Sequence, residues 1–148
     1  MQDNSSETTP YGILKVQALL VPDDLVSNRK VCVVDTGYNL GHPDLPNGNK
    51  VTGYVGPDSN AGDWREDGNG HGTHCAGTIA AIGGNEKGVV GVVRSGAMNL
   101  HIVKVFNNNG DWAWTSGLVK AVSASSSYCC RNFVIPLCEM TFSLFMFC

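Results

Sequence analysis

Two strongly apolar runs give the clearest structural signal along the chain. The first is VCVVD at Val31–Asp35, which is β-branched apart from its cysteine, and the second is LHIVKVF at residues 100–106. Runs of this length and composition are typical of strands that are buried on both faces of a parallel sheet. A shorter run at residues 51–55 is a further strand candidate. These three segments predict the sheet at the centre of the fold.

Helix candidates lie between and around these strands. Residues 11–20 can form a short helix, and residues 71–81 turn to small helix-forming side chains directly after a glycine-rich loop. A third candidate begins at Thr115 and continues to about Ser123, with an apolar face. Strand, loop, helix and strand therefore alternate, which favours an α/β fold with a parallel sheet.

The two ends of the chain differ in texture from its middle. Residues 1–9 form a polar arm, residues 10–122 carry the alternating pattern, and residues 123–148 form a divergent tail that starts with the low-complexity segment SASSSYCCRN. The apolar end of the tail is interrupted by Pro136 and Glu139, and a membrane-spanning helix needs about 20 apolar residues. We therefore predict no membrane span, and no periodicity predicts the structure of the tail.

Charge and cysteine content exclude several classes of function. The formal net charge of the 148 residues is −3, and no cationic cluster suggests a nucleic-acid partner. The six cysteines include no CxxC pair, which argues against a zinc ribbon or a dithiol redox motif. The polar N-terminus shows neither the basic nor the apolar region of a signal peptide, so the sequence leaves the compartment open.

Asp35 and His71 form the candidate catalytic pair. Asp35 ends the first predicted strand, and His71 opens the predicted helix between Gly70 and Gly72. The carboxyl ends of parallel strands form the rim where α/β proteins bind ligands, so both side chains can meet there. A histidine that acts as a general base needs a carboxylate to orient it, and flanking glycines leave it uncovered. Each residue alone also has an ordinary structural reading, as a turn residue or a loop histidine.

Six motifs in a fixed order carry a resemblance to a known family. They are PYGI, VVDTG, HPDL (which starts seven residues after the aspartate), GHGTHCAGTIAA, GVVGV and LHIVKVF. On these motifs the chain resembles the subtilisin-like serine proteases, or subtilases, from about Pro10 to Val122. The resemblance implies a three-layer subtilisin-like fold with a mostly parallel sheet, incomplete in this chain. It makes residues 10–122 a partial catalytic domain.

The resemblance also implies roles for individual residues. Asp35 would be the orienting carboxylate and His71 the general base and acid of a serine endopeptidase that hydrolyses peptide bonds. His74 would be a structural residue. Cys75 matches the proteinase K-like branch, in which a thiol lies under the catalytic histidine, and a small core residue is the alternative reading that we favour. The implied partners are a polypeptide substrate and the enzyme's own propeptide.

A substrate-binding edge is also implied by the resemblance. The residues concerned are Gly110, Asp111 and Trp112, which match the segment that pairs with an extended substrate by strand addition. An ordinary exposed turn before a helix is an equally good reading of the same residues.

A structural calcium ion is the one cofactor that the resemblance suggests, and catalysis itself requires none. Asp44 of the HPDL motif matches a calcium ligand of many subtilases, and Glu7 and Asn85 fall near other ligand positions. Calcium needs six or more oxygen ligands, several of them from the backbone.

The match breaks down where the family's nucleophile is expected. The sequence contains no GTSMA-like serine motif and no recognisable oxyanion-hole asparagine after His71. We therefore expect the chain alone to be inactive, and the alternative function is a truncated, non-catalytic product that binds peptides or a propeptide. We also expect a sheet without its later strands to expose an edge. Full-length members of the family are often extracellular.

Overall fold

A parallel three-stranded core organises the chain. The computed structural model describes residues 7–56, 59–111, 115–125, 133–136 and 144–147. The helices are α1 (Tyr11–Lys15), α2 (His71–Ala80) and α3 (Thr115–Ser125), and the strands are β1 (Lys30–Asp35), β2 (Val51–Val55), β3 (Asn99–Lys104), β4 (Phe133–Pro136) and β5 (Leu144–Phe147). The sheet order is β2-β3-β1-β5-β4. β1 and β2 both pair with β3 in parallel, so the predicted α/β fold with a parallel sheet is confirmed.

The two faces of β1 are buried against different helices, which gives three layers. Val31 and Val33 belong to the core cluster that also contains Ala76 and Ile79 of α2. The alternate residue Val34 belongs instead to the cluster that contains Ala121 of α3. Because successive strand side chains point to opposite faces, a run of residues that are all apolar is what a sheet covered on both sides requires.

The tail completes the sheet in a way that its sequence did not predict. β5 runs antiparallel to β1, with Val31 opposite Phe147 and Val34 opposite Leu144, and β4 pairs antiparallel with β5. β5 therefore takes up the backbone hydrogen-bonding groups on the side of β1 that faces away from β3. The outer strands of the sheet are β2 and β4.

Helix α1 is shorter than predicted. It ends at Lys15, and a 3₁₀ turn at Ala18–Leu20 follows a left-handed residue, Gln17, at φ 57°. Ile13 is the one α1 residue that is buried, whereas Leu14 and Val16 are more than half exposed. A short helix without a buried face gains little from packing, so the longer helix is not maintained. In the described part of the chain, no helix is long and apolar enough to cross a membrane.

Candidate functional site

The end of β1 and the start of α2 bring Asp35 and His71 into contact. Asp35 is the last residue of its strand and is 1% exposed. Its carboxylate oxygens lie 2.8 and 3.0 Å from His71 Nδ1, although the two residues are 36 positions apart. The His71 side chain keeps 25% of its surface exposed. The pair therefore has a buried carboxylate on one side of the ring and solvent access on the other.

The tautomer of His71 follows from its partner. An ionised carboxylate can only accept hydrogen bonds, so this contact favours the tautomer with the proton on Nδ1, in which Nε2 is the basic nitrogen. The Asp35 carboxylate is itself held by the backbone N–H of Thr36, which donates to Oδ1 at 2.7 Å. This arrangement can accept a proton at Nε2 and stabilise the resulting imidazolium.

Gly72 allows the helix to approach the strand closely. A Cβ at this position would lie 2.3 Å from the carbonyl oxygen of Gly37 and 3.1 Å from Cβ of Asp35. Real Cβ atoms essentially never come within 3.0 Å of a heavy atom beyond their own residue and its chain neighbours. The second glycine beside His71 therefore serves contact with the end of β1 as well as access to the ring. Gly70, on the other side, is the N-cap of α2 at φ 91°.

Cys75 lies one helical turn after His71, and its thiol is close to the ring. Sγ is 3.8 Å from Nδ1 and 3.9 Å from Nε2 of His71, and the residue is 7% exposed. Asp35, His71 and Cys75 thus place three ligand-type atoms within 4.8 Å of one another. The direct contact between Asp35 and His71 fills the space between two of them, and we assign no metal there. His74, the other histidine of the motif, is exposed on the helix surface.

Lys104 is a buried cation that sequence reasoning did not single out. It ends β3 directly opposite Asp35 in the strand register and is 1% exposed. Nζ donates to the carbonyl oxygens of Thr36 and Glu66 and, at 3.0 Å, to Oδ1 of Asn108. Burial lowers the pKa of its ammonium, and nearby carboxylates partly oppose that effect. The sequence signal that could have identified Lys104 as buried is its place inside the apolar run LHIVKVF.

Asp67 is a second residue that the sequence analysis missed. Its carboxylate accepts hydrogen bonds from Thr36, Gly70 and Thr73, all at or near the start of α2 or the end of β1. Burial alone would raise the pKa of Asp67, but the hydrogen bonds from Thr73, Thr36 and Gly70 outweigh it and hold the pKa below its ordinary value. An acid three residues before a glycine N-cap was the signal that could have identified it.

The predicted substrate-binding edge lies next to the loop that precedes α2. A Cβ on Gly110, which has φ 82°, would be 3.3 Å from Nδ2 of Asn69. Asp111 is exposed, and its backbone N–H donates to Oδ1 of Asn107 at 3.0 Å within the same turn. Trp112 lies outside the described residues. The turn is thus close in space to His71, two residues beyond Asn69.

The three predicted calcium-ligand residues come together at another place. Asp44 is 4% exposed, and its oxygens accept hydrogen bonds from Asn85 Nδ2 at 2.7 Å and from the Val89 N–H at 2.9 Å. Glu7 accepts from the N–H groups of Gly84, at 3.0 Å, and Asn85, at 3.2 Å. In this arrangement N–H donors, including the amide of Asn85, occupy the carboxylates. The two acids and one amide supply fewer than the six oxygens that calcium needs, so backbone carbonyls would have to provide the rest.

An open cavity of about 890 Å³ lies on the outer side of α2. Its lining includes Ile13 of α1, Gly70, Thr73 and Gly77 of the α2 region, and Val90. Neither Asp35 nor His71 lines it. Gly70, which directly precedes His71, does line it, so the cavity lies beside the start of α2.

A buried carboxylate on Nδ1 of a partly exposed histidine, at the carboxyl edge of a parallel sheet, is an arrangement found in serine-type peptidases. A solved structure supports the same class. The psychrophilic subtilisin-like protease Apa1 from the Antarctic psychrotroph Pseudoalteromonas sp. AS-11 superposes with a TM-score of 0.71 at 40% identity. That alignment covers 90% of this chain and 31% of Apa1.

Sequence comparisons place the chain within a family. Residues 27–126 match the model of the Subtilase family, peptidase S8, and the chain belongs to that family. Thermitase of Thermoactinomyces vulgaris is 39% identical over 110 residues, which are 72% of this chain and 37% of thermitase. Subtilisin of Bacillus pumilus is 40% identical over 123 residues, which are 80% of this chain and 42% of that protein. The chain thus spans less than half the length of these curated relatives, and the predicted resemblance to subtilases is confirmed.

Proposed function

We propose that this chain contributes the aspartate and the histidine of a serine endopeptidase site. Asp35 holds the Nδ1 proton of His71, and Nε2 takes the proton from a serine hydroxyl as that oxygen attacks the substrate carbonyl. The same nitrogen then gives the proton to the leaving amine, and water repeats the sequence to release the acyl group. The observation that carries this proposal is the contact between Nδ1 and the buried carboxylate, at 2.8 and 3.0 Å.

The remaining catalytic groups belong, in this proposal, to the part of the family's domain that the chain does not match. The sequence has neither the GTSMA-like serine motif nor the oxyanion asparagine, and the relatives extend well beyond the matched region. The substrate is a polypeptide. Gly110 and Asp111, with Trp112, would pair with its extended backbone by strand addition, and the closeness of Gly110 to Asn69 supports this.

A structural calcium ion at Asp44, Glu7 and Asn85 is part of the same proposal. The convergence of the three side chains supports it. The amide of Asn85 would have to present its oxygen, instead of Nδ2, to the ion. Calcium would then cross-link the segment at Glu7 to the loop at 84–89, and it has no part in the chemistry at His71.

A chimera tests the proposal. Residues 10–122 of this chain, fused to the remaining part of thermitase, should cleave a fluorogenic peptide. His71→Ala should lower kcat on the order of 10⁶-fold and Asp35→Ala on the order of 10⁴-fold, as for removal of the equivalent residues of subtilisin. Glu66→Gln, which removes an exposed charge from the same loop, should leave kcat unchanged. Cleavage that survives His71→Ala would overturn the proposal.

The alternative function is a non-catalytic product that binds peptides or a propeptide, and the absent serine motif favours it for the chain alone. The unfused 148-residue chain should not react with a fluorophosphonate probe. Fluorescence anisotropy with a labelled subtilase propeptide then separates the outcomes. Saturable binding without cleavage supports the alternative, whereas labelling by the probe would show that a nucleophile is present after all.

A further inference from the structure

The N-terminus of α2 is capped entirely by residues from outside the helix. The N-cap, Gly70, makes no side-chain cap hydrogen bond. The first three helical N–H groups each donate to a side chain outside the helix. His71 donates to Oδ1 of Asn69 at 3.3 Å, and Gly72 donates to Oγ1 of Thr36 at 2.9 Å. Thr73 donates to Oδ2 of Asp67 at 2.8 Å. Helices ordinarily leave these donors without an intrahelical partner. Here each one fixes the helix start to a particular neighbouring side chain.

Asp67 accepts four hydrogen bonds around this helix start. Oδ1 accepts from the Thr36 hydroxyl at 2.7 Å and from the Gly70 N–H at 2.9 Å. Oδ2 accepts from both the N–H and the hydroxyl of Thr73, at 2.8 and 2.5 Å. The Asp67 carboxylate therefore holds Gly70 and Thr73, on either side of His71, and Thr36, which directly follows Asp35. A negative charge at a helix N-terminus is also favourable because the helix dipole is positive there.

Thr36 connects the Asp67 carboxylate to both members of the catalytic pair. Its hydroxyl donates to Asp67 and accepts from the Gly72 N–H, and its own N–H donates to Oδ1 of Asp35. Asp35 and His71 are thus held in register by one network, in which a single carboxylate contacts both flanking segments. The ammonium of Lys104 interacts electrostatically with Asp67 as well as with Asp35.

We propose that Asp67 is a positioning residue that sets the distance and orientation of His71 relative to Asp35. It touches neither the ring nor the reacting atoms, and it acts through Gly70, Thr73 and Thr36. The proposal rests on the proposed role of His71 as general base, since that role requires the orientation. Its test needs no peptide hydrolysis, so it can succeed or fail independently of the proposed function.

The experiment is NMR on the full 148-residue chain with Asp67→Asn. Asparagine keeps the size of the side chain but places an NH₂ group where Oδ2 accepts from Thr73. We expect the downfield Nδ1 proton of His71, shared with Asp35, to be lost or shifted, because the start of α2 is no longer fixed to the end of β1. The Thr73 amide should exchange with solvent on the order of tenfold faster or more. Glu66→Gln is the control, because it removes one negative charge from the adjacent residue, and it should change none of these signals.

A second pair of variants keeps the test decisive if Asp67→Asn unfolds the chain. Thr36→Ser retains the bridging hydroxyl, whereas Thr36→Val keeps the shape and removes it. The Nδ1 proton signal should persist in the serine variant and disappear in the valine variant. The proposal is overturned if folded Asp67→Asn, or folded Thr36→Val, retains the wild-type Nδ1 signal of His71 and the wild-type exchange rate of the Thr73 amide.

Discussion

Gly72→Ala is the most informative single change in this molecule, because one methyl group separates two opposing effects. Alanine is a better helix former than glycine by about 0.5–1 kcal/mol, so helix propensity alone predicts stabilisation. The new Cβ, however, would lie 2.3 Å from the Gly37 carbonyl oxygen, which belongs to the turn after β1. That atom is backbone and cannot rotate away.

The size of the displacement follows from the distances. The contact must open by about 0.7 Å to reach 3.0 Å, below which real Cβ atoms are essentially never found. If α2 moved away from β1 by that amount, the 2.8 Å contact between His71 Nδ1 and Asp35 would stretch to about 3.5 Å, beyond the range of an N–H···O hydrogen bond. Overpacking of this kind costs about 1–3 kcal/mol, which exceeds the gain in helix propensity.

Gly77→Ala is the matched control, because it lies in the same helix. Its Cβ would meet nothing closer than Leu45 Cδ2, at 3.7 Å, which is ordinary van der Waals contact. Urea unfolding should show a lower free energy of unfolding for Gly72→Ala and a higher one for Gly77→Ala, and the Nδ1 proton signal of His71 should be lost in the first variant alone. Equal stabilisation by both alanines, with the signal intact, would refute the close approach of α2 to β1.

Three further predictions concern buried charges, pH and calcium. Lys104→Met should lower the free energy of unfolding by about 2–4 kcal/mol, because it leaves buried hydrogen-bond acceptors unpaired. The control Lys120→Met, at an exposed position, should change it by less than about 0.5 kcal/mol, and equal effects in denaturant titrations would contradict the prediction. Burial, assisted by the charge of Lys30, lowers the pKa of His101 to about 4 from 6.5. The unfolded chain therefore binds more protons between these values, and the free energy of unfolding should fall as the pH drops through that window, by at most about 3–4 kcal/mol. His101→Gln should flatten that pH dependence of urea unfolding and the exposed His74→Gln should not; an unchanged slope in the first variant would count against the assignment. If calcium binds as proposed, adding it should raise the thermal midpoint in wild type and leave Asp44→Asn unaffected, and a midpoint indifferent to calcium in wild type would remove that part of the proposal.

The sequence by itself determined the central strands, the main helix and the candidate pair. Val31–Asp35 had to be a buried strand because its residues before Asp35 are apolar on both faces. The glycines around His71 marked an accessible histidine at a helix start. A strand end and a helix start in an α/β fold share one rim, so the meeting of Asp35 with His71 followed from pattern and resemblance together.

The tertiary structure alone decided the features that depend on distant partners. Asp67 and Lys104 read as ordinary charged residues until the fold places them against Thr36, which is 31 positions from the first and 68 from the second. The tail gave no periodicity, yet β5 lies along β1, because an unpaired strand edge accepts any segment that satisfies its backbone hydrogen bonds. In the same way the short α1 reflects the absence of a buried face. Local pattern records which residues must be covered, whereas only the folded chain determines which residues cover them.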